Sequence, residues 1–388
     1  MNIPSKFDDI RPFEPNELPE VYDRLLAYQQ FQSVLGFLYP QVSLDMIARK
    51  MKACRTNMDF QLAFCYDFLK NLMAKASQGL DMDVSNVDTG SRYTFISNHR
   101  DIVLDSALLD VLLVEAGFKT TCEIAIGDNL LSLPWVKDLV RVNKSFIVER
   151  SLPPRQMLLA SKRLSEYMHF VISEKNDNIW IAQREGRAKD SNDRTQSAIL
   201  KMMAMAADEN HPSESPVERL RQLHIVPLSI SYEFDPCDFL KAREFQLKRD
   251  VEGWKKSKQD DVVSMQTGIM GYKGHVHYHC APCLDGFLDQ LSPDIPKTEV
   301  FDVIAAQIDR EIHRNYRLYP SNYVALDMLS ETDAFAHQYT PEYKQQFAQY
   351  IDAQLAKITD VPDKDEAFLR ECMLTMYANP AVNHLAAK

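Results

Sequence analysis

Glycine, net positive charge and long apolar runs are all scarce in this sequence of 388 residues. Only 11 glycines are present, and neither a GxGxxG nor a GxxxxGK[ST] motif occurs, which argues against nicotinamide enzymes and nucleoside-triphosphate enzymes. The 44 Lys and Arg are outnumbered by 55 Asp and Glu, which gives a formal net charge of -11. We therefore expect no general affinity for nucleic acid, because binding to the phosphate backbone needs a surplus of cations.

The sequence also lacks the signals of a secreted or membrane-spanning protein. No apolar run approaches the roughly 18 residues of a spanning helix, and the start MNIPSKFDDIRPFEPNE lacks the apolar region of a signal peptide. Seven scattered cysteines, an odd number, are typical of reduced thiols rather than a disulfide framework. These features predict a cytoplasmic protein.

Hydrophobic periodicity divides the chain into three regions. Residues 1–80 and 291–388 carry apolar residues at three- and four-residue steps, which predicts helical N- and C-terminal regions. Between them, in residues 81–290, short β-rich runs such as YTFIS, TCEIAI, IWIA and HIVPLSISY alternate with helical segments. This alternation predicts an α/β domain with a largely parallel sheet and flanking helices.

The segment YTFISNHRDIVLDSALLD holds a candidate catalytic pair. A β-run delivers His99 to the point where a helix begins, and Asp105 follows within two turns. Strand ends that feed helices form the ligand-binding edge of α/β sheets, and an imidazole held by a carboxylate can act as a base. Asp101 competes with Asp105 as the orienting carboxylate. A helix-capping or surface histidine is the structural alternative.

Cationic residues follow two further β-runs. Arg150 comes directly after FIVE, and IWIAQREGRAK ends with Arg184, Glu185, Gly186, Arg187 and Lys189. Guanidinium groups suit phosphate oxygens, and a glycine lets the backbone approach a ligand closely. A solvated charged loop is the alternative. Pro227 interrupts the strand-like run IVPLSIS. A proline is unusual within a sheet because it cannot donate to the ladder, and an edge strand would explain its presence.

Taken in order, these four segments resemble the glycerolipid acyltransferase family, which includes glycerol-3-phosphate and 1-acylglycerol-3-phosphate acyltransferases. Asn98-His99 with Asp105, the run Phe146 to Arg150, Glu185-Gly186-Arg187 and Val226-Pro227-Leu228 look like its four sequence blocks. The resemblance spans roughly residues 93–284. Two departures are five residues between His99 and Asp105, where four are usual, and Gln183-Arg184 with no following Thr, where Phe-Pro-Glu-Gly-Thr-Arg is usual.

The resemblance implies an acyltransferase-like fold and direct O-acyl transfer from acyl coenzyme A or acyl carrier protein, in phospholipid biosynthesis. His99 would be the base and Asp105 its orienting partner. Arg150, Glu185, Gly186 and Arg187 would bind the acceptor, which is glycerol 3-phosphate, lysophosphatidate or a related lipid precursor. Val226, Pro227 and Leu228 would lie by the acyl donor. Neither a bound cofactor nor a metal is implied.

Other interpretations remain open at the level of sequence. His275, His277, His279, Cys280 and Cys283 in HVHYHCAPC offer zinc ligands, although alternate strand residues lie about 7 Å apart. The basic segment 241–258 and the N-terminal helices are candidates for contact with the cytoplasmic face of a membrane, and the basic segment is also a candidate for docking an acyl carrier protein. The functional alternatives are an O-acyltransferase for an amino-acid lipid, a lipid hydrolase, and a non-catalytic protein that binds lipid or metal.

Overall fold

A computed structural model describes residues 3–131, 133–150, 152–206 and 214–388. In these ranges the chain forms one sheet of seven strands. The strands are β1 (Gly79–Asp83), β2 (Thr94–Ser97), β3 (Cys122–Gly127), β4 (Ser145–Val148), β5 (Asn178–Ala182), β6 (Ile225–Tyr232) and β7 (His275–Cys280).

The helices are grouped here by their place relative to the sheet. Those before the sheet are α1 (Leu18–Ala27), α2 (Gln29–Leu38), α3 (Leu44–Ala53), α4 (Asn57–Phe60) and α5 (Asp67–Ala76). Those between the strands are α6 (Leu104–Glu115), α7 (Pro134–Val142), α8 (Pro154–Phe170), α9 (Ser197–Met203), α10 (Pro216–Arg221), α11 (Asp238–Asp250) and α12 (Lys258–Met270). Those after the sheet are α13 (Asp285–Asp289), α14 (Val300–Arg314), α15 (Pro320–Ser330), α16 (Pro341–Ala356) and α17 (Glu366–Ala387).

The strand order is β1-β7-β6-β2-β5-β3-β4, and every pair is parallel except β6 with β7. The predicted α/β fold, with a largely parallel sheet and helical N- and C-terminal extensions, is therefore confirmed. Because β2 through β6 run in one direction, their carboxyl ends meet at one edge of the sheet. We call this edge the carboxyl edge.

Both faces of the sheet are buried, as parallel sheets require. One apolar cluster packs α8, α9 and α14 against β2, β4, β5 and β6. A second packs α5 and α6 against the opposite face. The N-terminal helices form a cluster of their own beside α7, and α15, α16 and α17 form another around α11. The boundaries predicted at residues 80 and 290 stay a prediction.

Pro227 lies in an interior strand, so the edge-strand alternative is wrong. β6 pairs with β2 on one side and β7 on the other. The Pro227 carbonyl accepts a hydrogen bond from the N–H of Ala281, just beyond the last β7 residue in the ladder, Cys280. Because the N–H and C=O of one strand residue point to the same side, the missing proline N–H faces β7 at the end of this ladder and does not interrupt the bonds between β6 and β2.

Candidate active site

The predicted site residues converge at the carboxyl edge because three neighbouring parallel strands end there. His99 follows β2, Arg150 follows β4, and the segment Glu185 to Arg187 follows β5. All five of these residues line one cavity. The structure thus brings together five of the sequence-predicted residues.

Asn98 fixes the backbone directly before His99. Its side chain is fully buried, donates to the carbonyl of Ile230 at 2.9 Å and accepts from the N–H of Ile230 at 2.8 Å. One amide side chain therefore substitutes for a ladder partner of β6 where β2 has ended. This anchoring holds the β2–α6 turn, and with it His99, at a defined height above the sheet.

His99 and Asp105 form a hydrogen-bonded pair. His99 Nδ1 lies 2.8 Å from Oδ2 of Asp105, whose side chain is fully buried while that of His99 is 13% exposed. The same carboxylate oxygen accepts the backbone N–H groups of Arg100 at 2.6 Å and Asp101 at 3.0 Å. With Nδ1 engaged, the other ring nitrogen, Nε2, has no hydrogen-bond partner in the described part of the chain. This is the arrangement of a base with an orienting carboxylate.

Asp101, the alternative candidate for the carboxylate that orients His99, has a different role in the structure. Its Oδ1 accepts the N–H groups of Val103 at 2.9 Å and Leu104 at 2.8 Å, so it caps the start of α6. Burial and the neighbouring Asp105 carboxylate raise the pKa of Asp101. Asp105, not Asp101, is the carboxylate that contacts His99.

Arg100 supports the same turn from behind. Its guanidinium is buried, pairs with Asp193 at 2.7 Å and lies over the ring of Tyr316, 5.7 Å from its centroid. Tyr316 also donates to Asp193, and His313 hydrogen-bonds to the Asp193 carbonyl at 2.9 Å. Through this buried network the C-terminal helical region holds the turn that carries His99.

The cavity beside His99 is large and mostly apolar. Its volume is about 760 Å³, within the usual range of sites that take organic ligands. Trp180 packs edge-on against His99 with 5.8 Å between the ring centroids, and its indole N–H is held by Ser97 at 3.0 Å. The apolar lining includes Ile102, Val103, Ile124, Ile126, Val136, Val140, Met157, Ile199 and Met202. Such a wall suits a hydrocarbon chain.

Arg150 crosses the edge of β3 and reaches Glu185. Its Nη1 lies 3.4 Å from Oε1 of Glu185, and its backbone N–H donates to Asp128 at 3.3 Å. A side chain at Gly127 would collide with this guanidinium, because a Cβ there would lie 2.7 Å from Arg150 Nε. Glu185 itself is 70% exposed, so this ion pair is accessible to an incoming anionic group.

Gly186 and Arg187 place a second guanidinium at the cavity. Gly186 has a φ of +68°, in the left-handed region where a side chain would be strained. Arg187 then has a buried Nη1 with no hydrogen-bond partner in the ranges that the structure describes. Lys189 is close by and is paired with Glu244, while burial, reinforced by Lys248, Lys256 and Arg187, lowers its pKa to about 7. A buried guanidinium donor without a partner at a cavity wall is a feature of an anion-binding site.

Comparison with known protein families decides the class. Residues 82–231 match the model of the family described as Acyltransferase. Residues 82–231 of the chain form an acyltransferase domain. The predicted family resemblance and the prediction of an acyl-transferring enzyme are therefore confirmed. The match contains every predicted site residue from His99 to Leu228.

Other comparisons add little to this assignment. One solved structure, the 1-acyl-sn-glycerophosphate (LPA) acyltransferase PlsC from Thermotoga maritima, is 11% identical over 78% of this chain and 97% of that chain, with a TM-score of 0.35. A likeness of that size has no bearing on the substrate. No curated protein matches the sequence significantly.

Val226, Pro227 and Leu228 of this acyltransferase lie beneath the site rather than in the cavity wall. All three are buried in β6, and Val226 and Leu228 belong to the apolar cluster under α6. Cavity lining does not include them. Their predicted place beside the acyl donor stays a prediction, and what the structure shows them doing is supporting β2.

The histidines of β7 lie next to acids of β1. His277 hydrogen-bonds to Asp81, His275 lies 3.1 Å from the same carboxylate, and His279 lies 3.5 Å from Asp83. Cys280 alternates to the other face and is fully buried. Parallel pairing of β1 with β7 thus gives each histidine a carboxylate neighbour.

Several cations of the basic segment 241–258 are paired with acids in this acyltransferase, and its predicted contact with a membrane or an acyl carrier protein stays a prediction. Lys241 is buried and paired with Asp235, Arg243 reaches Asp360 at 2.6 Å, and Lys256 reaches Asp261 at 2.6 Å. Lys256 and Asp261 line the catalytic cavity, which no sequence signal indicated. Trp180 was also missed, because a tryptophan in a buried strand is normally interpreted as a core residue. Only the structure shows its contact with His99.

Proposed function

We propose that this acyltransferase moves a fatty acyl group from a thioester donor, acyl coenzyme A or acyl carrier protein, to a hydroxyl of glycerol 3-phosphate, lysophosphatidate or a related lipid precursor. The observation that carries the proposal is the His99–Asp105 pair on the wall of an apolar cavity whose rim holds Arg150 and Arg187. An apolar cavity suits the chain, and the guanidinium groups suit a phosphate.

In the proposed reaction, Nε2 of His99 takes the proton from the acceptor hydroxyl while Asp105 holds the Nδ1–H. The oxygen attacks the thioester carbonyl, the new ester forms and the carbon–sulfur bond breaks. The departing thiolate takes the proton back from the imidazolium. No covalent bond to the enzyme forms, and general-base catalysis of this kind contributes about 10²–10⁴-fold to the rate.

A transfer assay tests the proposal. Radiolabelled acyl coenzyme A and acyl carrier protein are offered separately with glycerol 3-phosphate, lysophosphatidate or a hydroxylated amino-acid lipid, using wild type and His99→Ala. We expect product with a phosphorylated acceptor and a loss of at least 100-fold in His99→Ala, with Tm unchanged within a few degrees. Arg314→Ala, which alters an exposed residue outside the cavity, is the matched control.

Three other results would replace this proposal. Equal transfer to the amino-acid lipid would assign a phosphate-free acceptor. Release of free fatty acid without any acceptor would indicate a hydrolase. If wild type and His99→Ala gave the same rates with every acceptor, His99 would not be the base, and a non-catalytic binding role would take precedence.

We also propose peripheral contact with a membrane on its cytoplasmic face, because a lipid acceptor has to reach the cavity. Among the described residues, no helix is both long and apolar enough to span a bilayer. The predicted N-terminal contact has exposed apolar side chains, with Phe37 75% and Met46 61% exposed. A second exposed pair, Leu158 and Leu159, stands on α8 next to the cavity-lining Met157.

A further inference from the structure

Three potential metal ligands meet at the edge of the sheet opposite the catalytic site. His224 directly precedes β6, and Cys283 and Asp285 follow β7. One nitrogen, one sulfur and one oxygen of these three side chains all lie within 4.8 Å of one another. No part of the proposed transfer reaction uses them.

The backbone brings these side chains together by continuing the β6–β7 contact past the end of the ladder. The N–H of Ala281 donates to the Pro227 carbonyl at 2.9 Å, and the N–H of Leu284 donates to the Ile225 carbonyl at 2.8 Å. The chain after β7 therefore runs back along β6 as far as His224. Cys283 and Asp285 then flank Leu284 at the start of α13.

The three groups are chemically matched to zinc. Imidazole nitrogen, thiolate sulfur and carboxylate oxygen are the ligand types of protein zinc sites, and three protein ligands leave a fourth position for water. Tetrahedral zinc needs ligand atoms about 3.3–3.8 Å apart, since zinc–ligand bonds are about 2.0–2.3 Å long. His224 Nδ1 and Asp285 Oδ2 are 2.7 Å apart, and the His224 side chain is 43% exposed, so it has room to adjust.

A second observation points to a ligand at the same place. The other carboxylate oxygen of Asp285, Oδ1, is buried and has no hydrogen-bond partner within the described ranges. A buried carboxylate oxygen without a donor is costly unless something else satisfies it. Arg221, whose charge acts on Asp285, is already paired with Asp289 at 2.5 Å.

We propose that His224, Cys283 and Asp285 bind one zinc ion that fastens the β7–α13 segment to the start of β6. The site lies one strand length from the catalytic histidine, because Thr94 pairs with Ile225 while His99 follows the other end of β2. At about 3.3 Å per residue the separation is roughly 15 Å. At that distance the ion takes no part in the acyl transfer, and activity at moderate temperature does not depend on it.

Cobalt titration of the metal-free full chain tests the site, because a cobalt–thiolate bond gives a charge-transfer absorption that the other ligands do not. We expect one equivalent of cobalt to produce this band, zinc to abolish it by displacement, and zinc to raise Tm. Cys283→Ser should lose the band and bind zinc at least tenfold more weakly. Cys372→Ser, a change to another half-buried thiol in a different helix, is the matched control and should keep the band.

A second variant keeps the proposal testable if Cys283→Ser fails to fold. His224 has a φ of +47°, a conformation that asparagine tolerates better than most residues, so His224→Asn keeps the turn while removing the imidazole. We expect this variant to match wild type in Tm with chelator present but to gain less Tm from zinc. Absence of stoichiometric cobalt, or an unchanged band in Cys283→Ser, would overturn the proposal.

Discussion

Arg187 is the residue whose surroundings point most directly to an anionic ligand. Its buried Nη1 has no hydrogen-bond partner in the described structure, and the side chain lines the cavity beside His99. We expect Arg187→Lys to raise KM for a phosphorylated acceptor about tenfold with little change in kcat, because lysine keeps the charge but loses the two-pronged donor. Steady-state kinetics measure both constants.

An acceptor without a phosphate is the control for this prediction. With an acceptor that carries a hydroxyl but no phosphate, Arg187→Lys and wild type should give the same KM. An equal rise in KM for both acceptors would show that Arg187 maintains the shape of the cavity and does not bind the phosphate.

Asp110 on α6 is predicted to make stability depend on pH. Its carboxylate accepts the N–H of Cys122 at 2.8 Å and the amide of Gln61 at 3.0 Å, and burial raises its pKa to about 7. A raised folded-state pKa means that this group's stabilising contribution is complete below its unfolded pKa near 3.8 and is lost as pH rises toward 7.

Asp110→Asn removes this titration while keeping an acceptor for the Cys122 N–H. We expect the variant to gain Tm relative to wild type at pH 8 and to show no gain at pH 4, when thermal unfolding is followed at both values. Taking the difference between variant and wild type cancels the carboxylates that titrate in the opposite direction. A difference independent of pH would contradict the assignment.

At the scale of secondary-structure elements, α12 is fitted against the turn that carries His99. Gly268 of α12 faces Asp101 so closely that a Cβ would lie 1.9 Å from Asp101 Oδ2. Asp101 cannot easily yield, because it is buried and caps α6. We expect Gly268→Ala to destabilise the fold by about 1–3 kcal/mol and to lower kcat by displacing the turn.

Gly36 in α2 is the matched control for this substitution. It too lies inside a helix, but a Cβ there meets nothing within 4 Å. Gly36→Ala should therefore stabilise the protein by about 0.5–1 kcal/mol, as alanine does in an open helix position. Chemical denaturation of both variants measures the difference, and equal effects would mean that α12 is not fitted to Asp101.

Local patterns could predict most elements but not all of their partners. β2 and α6 were predictable because YTFIS and LDSALLDVLLVEA have the composition and length of a strand and a helix. β1 was not, since GLDMD is rich in residues that disfavour strands, and it forms only by pairing with distant β7. Lys256 was missed for the same reason, because only contacts between distant parts of the chain bring it to the cavity.

At the scale of the whole molecule, exposed apolar side chains are expected to set the orientation on a membrane. Leu158 and Leu159 are 61% and 63% exposed on the helix that lines the cavity. We expect the double variant Leu158→Ser, Leu159→Ser to lose most binding to anionic phospholipid vesicles, because burying these side chains would provide the apolar part of the affinity. Vesicle sedimentation measures the bound fraction.

Met270→Ser is the control for vesicle binding, as Met270 is equally exposed, at 61%, but lies outside the cavity wall. Circular dichroism establishes that the variants remain folded. If the leucine variant bound vesicles as wild type does while Phe37→Ser did not, the N-terminal helices would be the membrane contact instead.

The pairing of β1 with β7 has a consequence for the order of events during synthesis. Among the described strands, β1 pairs only with β7, and the paired residues Asp81 and His277 are 196 positions apart. At about 5–20 residues per second, β1 leaves the ribosome roughly 10–40 s before its partner exists. During that interval the N-terminal helices and β2 to β6 can assemble, but the sheet keeps an open edge at β6. Pairing of β7 with β6 is therefore a late step. Until it occurs, the exposed edge of β6 makes the nascent chain a substrate for chaperones.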